Sequence, residues 1–236
     1  MMGKVLTDPA AIESAVVTKT TGNIIVLAKD HYLMKRATLP ISAMKHQAKA
    51  ACIQCKMCTD LCPRYLLGHD MQPHKLMRIG GYNIDDVGGK LNALLCCQCN
   101  LCEYFSCPAN LHPRLTNAIF KQNMAEAKVR YQPTETEFHV RDARKYRLVP
   151  SKRLVARLGL REFDQPAPWT EETITPAEVH IATSQHVGAP AVPVVSTGDH
   201  VTVGQLIGKV PEGALGAPIH ASISGTVSAC GNDFIV

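Results

Sequence analysis

The spacing of apolar positions changes along the 236-residue chain, and this change separates a helical middle from a strand-rich end. A mostly apolar stripe in steps of four follows Pro113 and runs through Leu115, Ile119, Asn123 and Ala127. Such steps trace one face of an α-helix, and proline is favoured in the first helical turn. The pattern therefore predicts a helix that opens near Pro113.

Two further stretches predict helices in the same way. Residues 40–51 place Ile41, Met44 and Ala48 at helical spacing. The 33 residues between positions 62 and 96 contain another proline, Pro73, followed by a basic residue and a leucine. We therefore expect the middle of the chain to be mainly helical.

From residue 178 onwards, short β-branched runs alternate with glycine, which predicts strands. The predicted strands are residues 192–195, 201–203, 205–207, 219–221, 226–228 and 234–236. Turn residues at 196–199 and 211–213 separate some of them. The tripeptide Gly-Ala-Pro begins at Gly188 and again at Gly216, which indicates a duplicated half. This favours a small sandwich of interlocked hairpins.

The run 198–208 resembles the biotinyl and lipoyl carrier family, whose members carry a lysine at a hairpin tip. Lys209, the only lysine after Lys152, lies inside a predicted strand instead. We therefore expect neither biotin nor lipoate on this domain.

The first forty residues predict a β-hairpin. Two strand-like runs, residues 15–19 and 24–27, flank the turn dipeptide Gly22-Asn23. A lone hairpin is at best marginally stable in water. We therefore expect that the sequence is a fragment of a longer protein, or that the hairpin docks on the helical part.

The resulting fold class is α+β multidomain. The predicted domains are a hairpin over 1–39, a helical region over 40–130, a basic linker or strap over 131–177 and a barrel-sandwich domain over 178–236.

Hydrophobic residues reach 46% and charged residues 19%, enough apolar material for folded cores. No uncharged apolar run approaches the ~18 residues of a membrane span, and the N-terminus lacks the apolar stretch of a signal peptide.

Charge is concentrated in one segment. Residues 128–165 contain ten Lys and Arg against five Asp and Glu, a net charge that equals the +5 of the whole chain. Seven of these basic residues could form a cationic strap, the alternative being a solvated linker. The seven are Arg141, Arg144, Lys145, Arg147, Lys152, Arg153 and Arg157.

Nine of the ten cysteines lie in two compact motifs. The first knot is Cys52-x2-Cys55-x2-Cys58-x3-Cys62-Pro63 and the second knot is Cys96-x2-Cys99-x2-Cys102-x4-Cys107-Pro108. A secreted disulfide protein would spread its cysteines along the fold. The knots instead indicate a reduced, cytoplasmic metalloprotein.

Three cysteines in steps of three can hold three irons of a [4Fe–4S] cluster, and a fourth followed by proline ligates the other cluster in two-cluster ferredoxins. The spacing therefore predicts two clusters with crossed ligands. The first cluster is assigned to Cys52, Cys55, Cys58 and Cys107. The second cluster is assigned to Cys62, Cys96, Cys99 and Cys102. The alternative is a zinc-bearing structural module, although zinc sites usually join two separated Cys-x2-Cys pairs.

Two cysteines stay outside these sets. Cys97 adjoins Cys96, but its use would leave a one-residue gap to Cys99 and break the symmetry with the first knot, so we expect a spare thiol. Cys230 lies in a strand-like segment and is expected to be a small buried residue.

No dinucleotide fingerprint, phosphate loop or Ser/His/Asp arrangement is found in the sequence. We therefore expect no catalytic residues and no flavin or nicotinamide site in these residues. A pair of clusters without its own electron source indicates a relay.

The sequence resembles the Rnf C-subunit-like family over nearly its whole length. The resemblance rests on residues 1–27, 52–69, 146–160, 186–190 and 217–225. It implies that the predicted hairpin over 1–39 is the tail of a ligand-binding β-domain. The ferredoxin precedes the sandwich here, whereas the sandwich comes first in membrane Rnf proteins. This order resembles the branch that reduces corrinoids in propanediol-utilisation microcompartments. One departure is the four-residue spacer between Cys102 and Cys107, where the family pattern has three residues, which makes Cys107 the least secure ligand.

The resemblance implies that a flavin/NADH domain or subunit, with FMN on a domain upstream, feeds electrons through the clusters to a corrinoid. It implies a corrinoid adenosyltransferase or microcompartment proteins as partners, and a cytoplasmic location inside a bacterial microcompartment. The alternative is the equivalent part of a membrane ion-translocating Rnf complex. No nucleic-acid partner is expected.

Overall fold

The computed structural model describes residues 5–22, 24–133, 137–171 and 176–236. These residues divide into two compact units. The first unit comprises Leu27–Pro166 with Val5, and the second comprises Leu6–Val26 together with Ala167–Val236.

The first unit is helical, as the sequence predicts. Its α-helices are α2 (Tyr32–Ala37), α3 (Ile41–Ala51), α4 (Met57–Asp60), α5 (Pro63–Leu66), α6 (Pro73–Tyr82), α7 (Val87–Leu91), α8 (Pro113–Glu126) and α9 (Ser151–Arg157). Shorter 3-10 turns cover Asn92–Leu95, Asp142–Tyr146 and Arg161–Phe163, and a π-helix covers Leu101–Ser106. The predicted helix starts at Pro73 and Pro113 are confirmed, because proline's fixed φ suits the first turn.

The core of the first unit forms where α3, α6 and α8 pack on one another. Met71, Leu76 and Ile79 are almost fully buried there, and Tyr65 and Phe120 pack against them. Gly80 allows the close approach of α6 and α8, because a Cβ at this position would lie 2.8 Å from Thr116 Cγ2. Burial of one such apolar side chain contributes about 1.5–3 kcal/mol. The two helices are therefore fixed over the cysteine knots.

Part of the predicted linker packs on the first unit. The Arg141 N–H donates to Leu66 O at 3.0 Å, and the Arg141 guanidinium lies 4.1 Å from the centroid of the Tyr65 ring. Gly68 has φ +102°, and a Cβ there would lie 2.6 Å from His139 O, so glycine is required. The compact unit thus extends to Pro166, beyond the predicted boundary at residue 130.

The second unit holds short antiparallel strands. They are β1 (Ile181–Ala182), β2 (Val192–Pro193), β3 (His200–Val201), β4 (Leu206–Lys209), β5 (Ile219–His220), β6 (Gly225–Thr226) and β7 (Phe234–Ile235). β4 pairs with β2 and β5, β3 pairs with β6, and β1 pairs with β7. Ile207, Ile219, Val227 and Ile235 are buried in its core. Each predicted strand run overlaps one of these strands, whereas β1 was not predicted.

The predicted N-terminal hairpin is wrong in the part that the structure describes. Residues 15–22 and 24–28 contain no strand, and the turn residue Asn23 lies outside the described residues. Residues 9–13 form the short helix α1 (Pro9–Glu13), and Lys19 N–H donates to Gln185 Oε1 at 3.0 Å. A two-stranded ribbon offers too little buried surface to persist alone, so side-chain contacts within the second unit take its place.

Candidate metal centres

The two cysteine knots follow the same backbone path. Gln54 and Lys56 flank Cys55 with φ of 55° and 65°, and Gln98 and Asn100 flank Cys99 with φ of 54° and 66°. Left-handed conformations are uncommon outside glycine. Because they recur here in two matched pairs of residues, we attribute them to a constraint of the motif. The match aligns Cys96 with Cys52, and it aligns Cys97 with Ile53.

The first site is a cavity lined by thiols of both knots. Three come from the first knot and the fourth is the Cys-Pro cysteine of the second knot, that is Cys52, Cys55, Cys58 and Cys107. His74, Met77 and Leu111 lie behind them, whereas Cys55 is exposed and Ile53 is 78% exposed. The structure thus brings together every residue assigned to the first cluster and leaves one edge open to solvent.

The second site is the reciprocal cavity. It is lined by Cys62 of the first knot and by four cysteines of the second, Cys96, Cys97, Cys99 and Cys102. Cys62, Cys96 and Cys102 are buried, and Cys97 and Cys99 are partly buried. Met71, Pro73 and Asn117 cover them. The residues assigned to the second cluster also meet, in a more enclosed setting.

The donor set of each site fits a [4Fe–4S] cluster. Each site holds four assigned cysteines, and such a cluster takes one thiolate on each of its four irons. Among the described residues, no group of three or more His, Cys, Asp or Glu side chains is arranged to hold a single metal ion.

Without iron, burial favours the protonated form of the buried thiols Cys58 and Cys62. Burial and, to smaller extents, the charges of Cys107, Cys52 and Cys55 raise the pKa of Cys58 to about 12. Burial likewise raises the pKa of Cys62 to about 11, with smaller contributions from Cys99 and Cys96. Bound iron would convert these thiols to thiolates, because a metal ion deprotonates a thiol that coordinates it.

Several donors point at the sulfurs. Gln54 Nε2 donates to Cys52 Sγ at 3.1 Å, and the Leu111 N–H donates to Cys107 Sγ at 3.3 Å. In the second site the Gln98 N–H donates to Cys96 Sγ at 3.3 Å, and Asn117 Nδ2 donates to the same sulfur at 3.7 Å. Hydrogen bonds to cluster sulfurs are one of the factors that set reduction potential.

The four-residue spacer before Cys107 is accommodated by the π-helix Leu101–Ser106. The first knot uses an α-helical turn, α4, at the matching position. A π-turn is wider by one residue than an α-turn, so it takes up the additional residue locally. Cys107 consequently still lines the first site.

The residue after the third cysteine of each knot anchors the start of the next long helix, a role that the sequence did not suggest. Thr59 Oγ1 lies 2.7 Å from His74 Nδ1, beside the start of α6. Glu103 is 3% exposed, and its carboxylate accepts from the Leu115 N–H at 3.1 Å and lies 3.2 Å from His112 Nδ1. Burial opposes the charge on Glu103, yet His112, Arg114 and the Leu115 amide together hold its pKa below the ordinary value.

Two arginines hold the loop after Cys107. Arg36 is 9% exposed and donates to the carbonyls of Asn110 at 2.6 Å and Leu111 at 3.1 Å. Arg157 donates to Asn110 Oδ1 at 3.2 Å and to Cys107 O at 3.4 Å. Arg157 belongs to the basic stretch of the sequence, whereas Arg36 lies outside it and no motif marked it.

The remaining predictions concern single residues. Cys230 is partly buried against the sandwich core, and its thiol donates to Val195 O at 3.3 Å, which confirms a packing role. Lys209 lies in β4, paired with Val192, and not at a hairpin tip. Met57, the first residue of α4, is 41% exposed.

Two family models match the chain. The 4Fe-4S dicluster domain matches residues 51–112, and the RnfC barrel sandwich hybrid domain matches residues 167–235. These matches agree with the helical cysteine-rich unit and with the strand-rich unit. Within the described residues, no helix combines the length and apolarity that a membrane crossing requires.

Two relatives match most of the chain, and a third matches a shorter stretch. Cobalamin reductase PduS of Salmonella typhimurium is 44% identical over 214 residues, which are 90% of this chain and 47% of that protein. Its counterpart from Citrobacter freundii is 42% identical over the same shares of both chains. A component of the Na(+)-translocating ferredoxin:NAD(+) oxidoreductase complex of Acetobacterium woodii is 48% identical over 54 residues, 23% of this chain and 12% of that component.

The chain spans about half the length of the two cobalamin reductases that it matches. No solved structure matches it significantly. The chain is thus similar to cobalamin reductases over 90% of its length, and it combines a match to the 4Fe-4S dicluster domain with a match to the RnfC barrel sandwich hybrid domain.

Proposed function

We propose that this chain is an electron relay that holds two [4Fe–4S] clusters with crossed ligands. The observation that carries the proposal is the composition of the two cavities. The first receives three cysteines of the first knot and the Cys-Pro cysteine of the second. The second receives the Cys-Pro cysteine of the first knot and four cysteines of the second, of which Cys96, Cys99 and Cys102 are the assigned ligands. When bound, each cluster can take up and release one electron, and the thiolates of this chain supply all eight ligands.

The contact between the elements that carry the two sites supports electron transfer between them. Cys58 of the first site lies in α4, and Cys102 of the second site lies in the π-helix. The crossed cysteines also tie α4 to the π-helix, and these two elements contact one another. The protein's own part is to fix the two sites side by side and to keep water from the inner one.

The open edge of the first site is the surface at which a redox partner docks. Cys55 is exposed there, and Ile53 and Met57 present apolar surface beside the cationic Lys56. Electrons pass most readily where a partner can approach a cluster without intervening protein. This docking surface favours a partner whose contact area is apolar and is bordered by acidic residues.

The donor and acceptor follow from the relatives. We infer that a flavin/NADH-binding domain or subunit supplies the electrons and that a corrinoid receives them, in a cobalamin reductase of propanediol utilisation. A corrinoid adenosyltransferase is the expected partner, and a bacterial microcompartment is the expected location. The Rnf-type alternative draws on shorter matches, such as the 54 residues shared with the Acetobacterium woodii component.

The test is anaerobic reconstitution followed by electron transfer to added cobalamin. Two clusters predict about eight iron and eight sulfide per chain. The dithionite-reduced chain should then reduce cobalamin, and NADH alone should not bleach its visible absorption. Binding of about four irons or fewer, or of colourless zinc in place of iron, would contradict the proposal.

A further inference from the structure

Helix α8 carries a polar stripe on the side that meets the second knot. Arg114, Asn117 and Lys121 are three and four residues apart, a spacing that places them on one face. Arg114 Nε donates to Asn100 Oδ1, Asn117 Nδ2 to Cys96 Sγ at 3.7 Å, and Lys121 Nζ to Cys96 O at 3.0 Å. One helix face therefore supplies two cations and an amide donor to the surroundings of a single cysteine site.

Asn117 is the informative member of this stripe. Its side chain is fully buried, at 0% exposure, and its Oδ1 atom has no hydrogen-bond partner among the described residues. A buried amide oxygen without a partner costs free energy, and an apolar residue of similar size would avoid that cost. The position therefore carries an amide for the sake of its N–H donor, and this donor points at a cysteine sulfur.

We propose that the stripe of Arg114, Asn117 and Lys121 raises the reduction potential of the second cluster. A cluster with four thiolate ligands is negatively charged, and reduction adds one further negative charge. Donors to sulfur and nearby cations stabilise the added charge, and they do so more strongly in an enclosed site than in water. These are positioning residues, because none of them supplies a ligand.

The stripe acts in addition to one further cation, Arg64, which also lines the second site. Arg64 stays in place in each of the variants below. The buried carboxylate of Glu103 is the opposing charge, but it is hydrogen-bonded to the Leu115 amide and lies beside His112. Helix α8 therefore presents mainly hydrogen-bond donors and positive charge to the second site.

The inference rests on the proposed function, and its test keeps the two apart. The unmodified chain is first shown to bind about eight irons, because a lower content would contradict the relay itself. Asn117→Leu, Lys121→Gln and the unmodified chain are then titrated potentiometrically, with electron paramagnetic resonance reporting each cluster. Lys128→Gln is the matched control, since Lys128 lies beyond the end of α8 and is exposed.

We expect two redox transitions, one for each cluster. One of them should shift to lower potential in Asn117→Leu and, by a smaller amount, in Lys121→Gln. Lys128→Gln should leave both in place. A Cys55→Ser change alters the resonance of the first cluster and so identifies the transition that should not move. Thermal unfolding should show that Asn117→Leu is no less stable than the unmodified chain, because leucine removes the unpartnered oxygen.

The inference is overturned if both clusters bind and neither transition moves, or if the one that moves carries the Cys55→Ser signature. A loss of folding stability in Asn117→Leu without a shift in potential would assign the residue a structural role and also overturn it. If Asn117→Leu fails to retain the second cluster, Lys121→Gln decides, since its ammonium group touches only a backbone carbonyl of the site.

Discussion

The first and second cysteine sites share a backbone path but differ in what surrounds them. Matched left-handed residues flank Cys55 and Cys99, yet Cys55 is exposed while Cys99 is partly buried. Ile53 beside the first site is 78% exposed, whereas Asn117 over the second is fully buried. The local sequence repeat thus specifies ligand geometry, and the helices packed on each knot determine its access to solvent.

A second contrast lies in how each knot anchors the next long helix. Thr59 does so with a neutral hydroxyl, and Glu103 does so with a buried carboxylate that accepts from the backbone of α8. The charged anchor is the stronger of the two, because hydrogen bonds to charged groups contribute about 1.5–3 kcal/mol against about 1 kcal/mol for neutral ones. The second site is therefore both more enclosed and more firmly tied to its covering helix.

Replacement of the two Cys-Pro cysteines, Cys62 and Cys107, should have the largest effect on the difference between the two sites. Cys62→Ala should remove the cluster of the second site, and Cys107→Ala that of the first, each with a loss of about four of eight irons. Resonance spectra of the two variants should be complementary. The crossed assignment fails if Cys62→Ala instead abolishes the signal that Cys55→Ser perturbs.

The difference in exposure predicts two rates of iron loss. An added chelator should remove about half of the iron in a fast phase and the rest slowly, since only the first site has an open edge. In Cys62→Ala the remaining iron should leave in the fast phase, and in Cys107→Ala in the slow one. A single phase in the unmodified chain would show that exposure does not separate the two sites.

The helix anchors predict unequal losses of folding stability. Glu103→Ala should lower the free energy of unfolding by about 3 kcal/mol, because it leaves a buried histidine and a helix amide without their acceptor. Thr59→Ala should cost about 1 kcal/mol. Glu126→Ala, at the exposed end of α8, is the control and should be within about 0.5 kcal/mol of the unmodified chain. Equal losses for Thr59→Ala and Glu103→Ala in denaturant titrations would remove this distinction.

Much of the helical unit follows from short-range signals in the sequence. Proline fixes the starts of α6 and α8, and the Cys-x2-Cys-x2-Cys spacing dictates the backbone of each knot. The short strands of the second unit other than β1 likewise overlap the β-branched runs that predicted them. These features depend on residues a few positions apart, and such relations can be read from one sequence.

The rest depends on partners far apart in the chain. Arg36 reaches carbonyls more than seventy residues away, and Asn117 meets a sulfur 21 residues before it. The N-terminal hairpin was predicted from a turn dipeptide and strand-like runs, but its stability depended on a packing surface that the pattern does not describe. The additional residue before Cys107 suggested a weakened ligand, and only the π-helix shows how the chain takes it up.

The smallest expected effect concerns Cys97, which lines the second site beside the assigned ligand Cys96. The backbone match pairs Cys97 with Ile53 of the first knot, and the Gln98 N–H is aimed at Cys96 Sγ. Cys97→Ile, which copies the first knot, should therefore keep about eight irons per chain and leave both transitions unmoved, whereas Cys96→Ser should disturb the second cluster. Iron analysis and potentiometric titration of the two variants decide between the adjacent thiols. Retention of both clusters in Cys96→Ser together with iron loss in Cys97→Ile would reverse the assignment, and the two knots would then differ in ligand spacing as well as in surroundings.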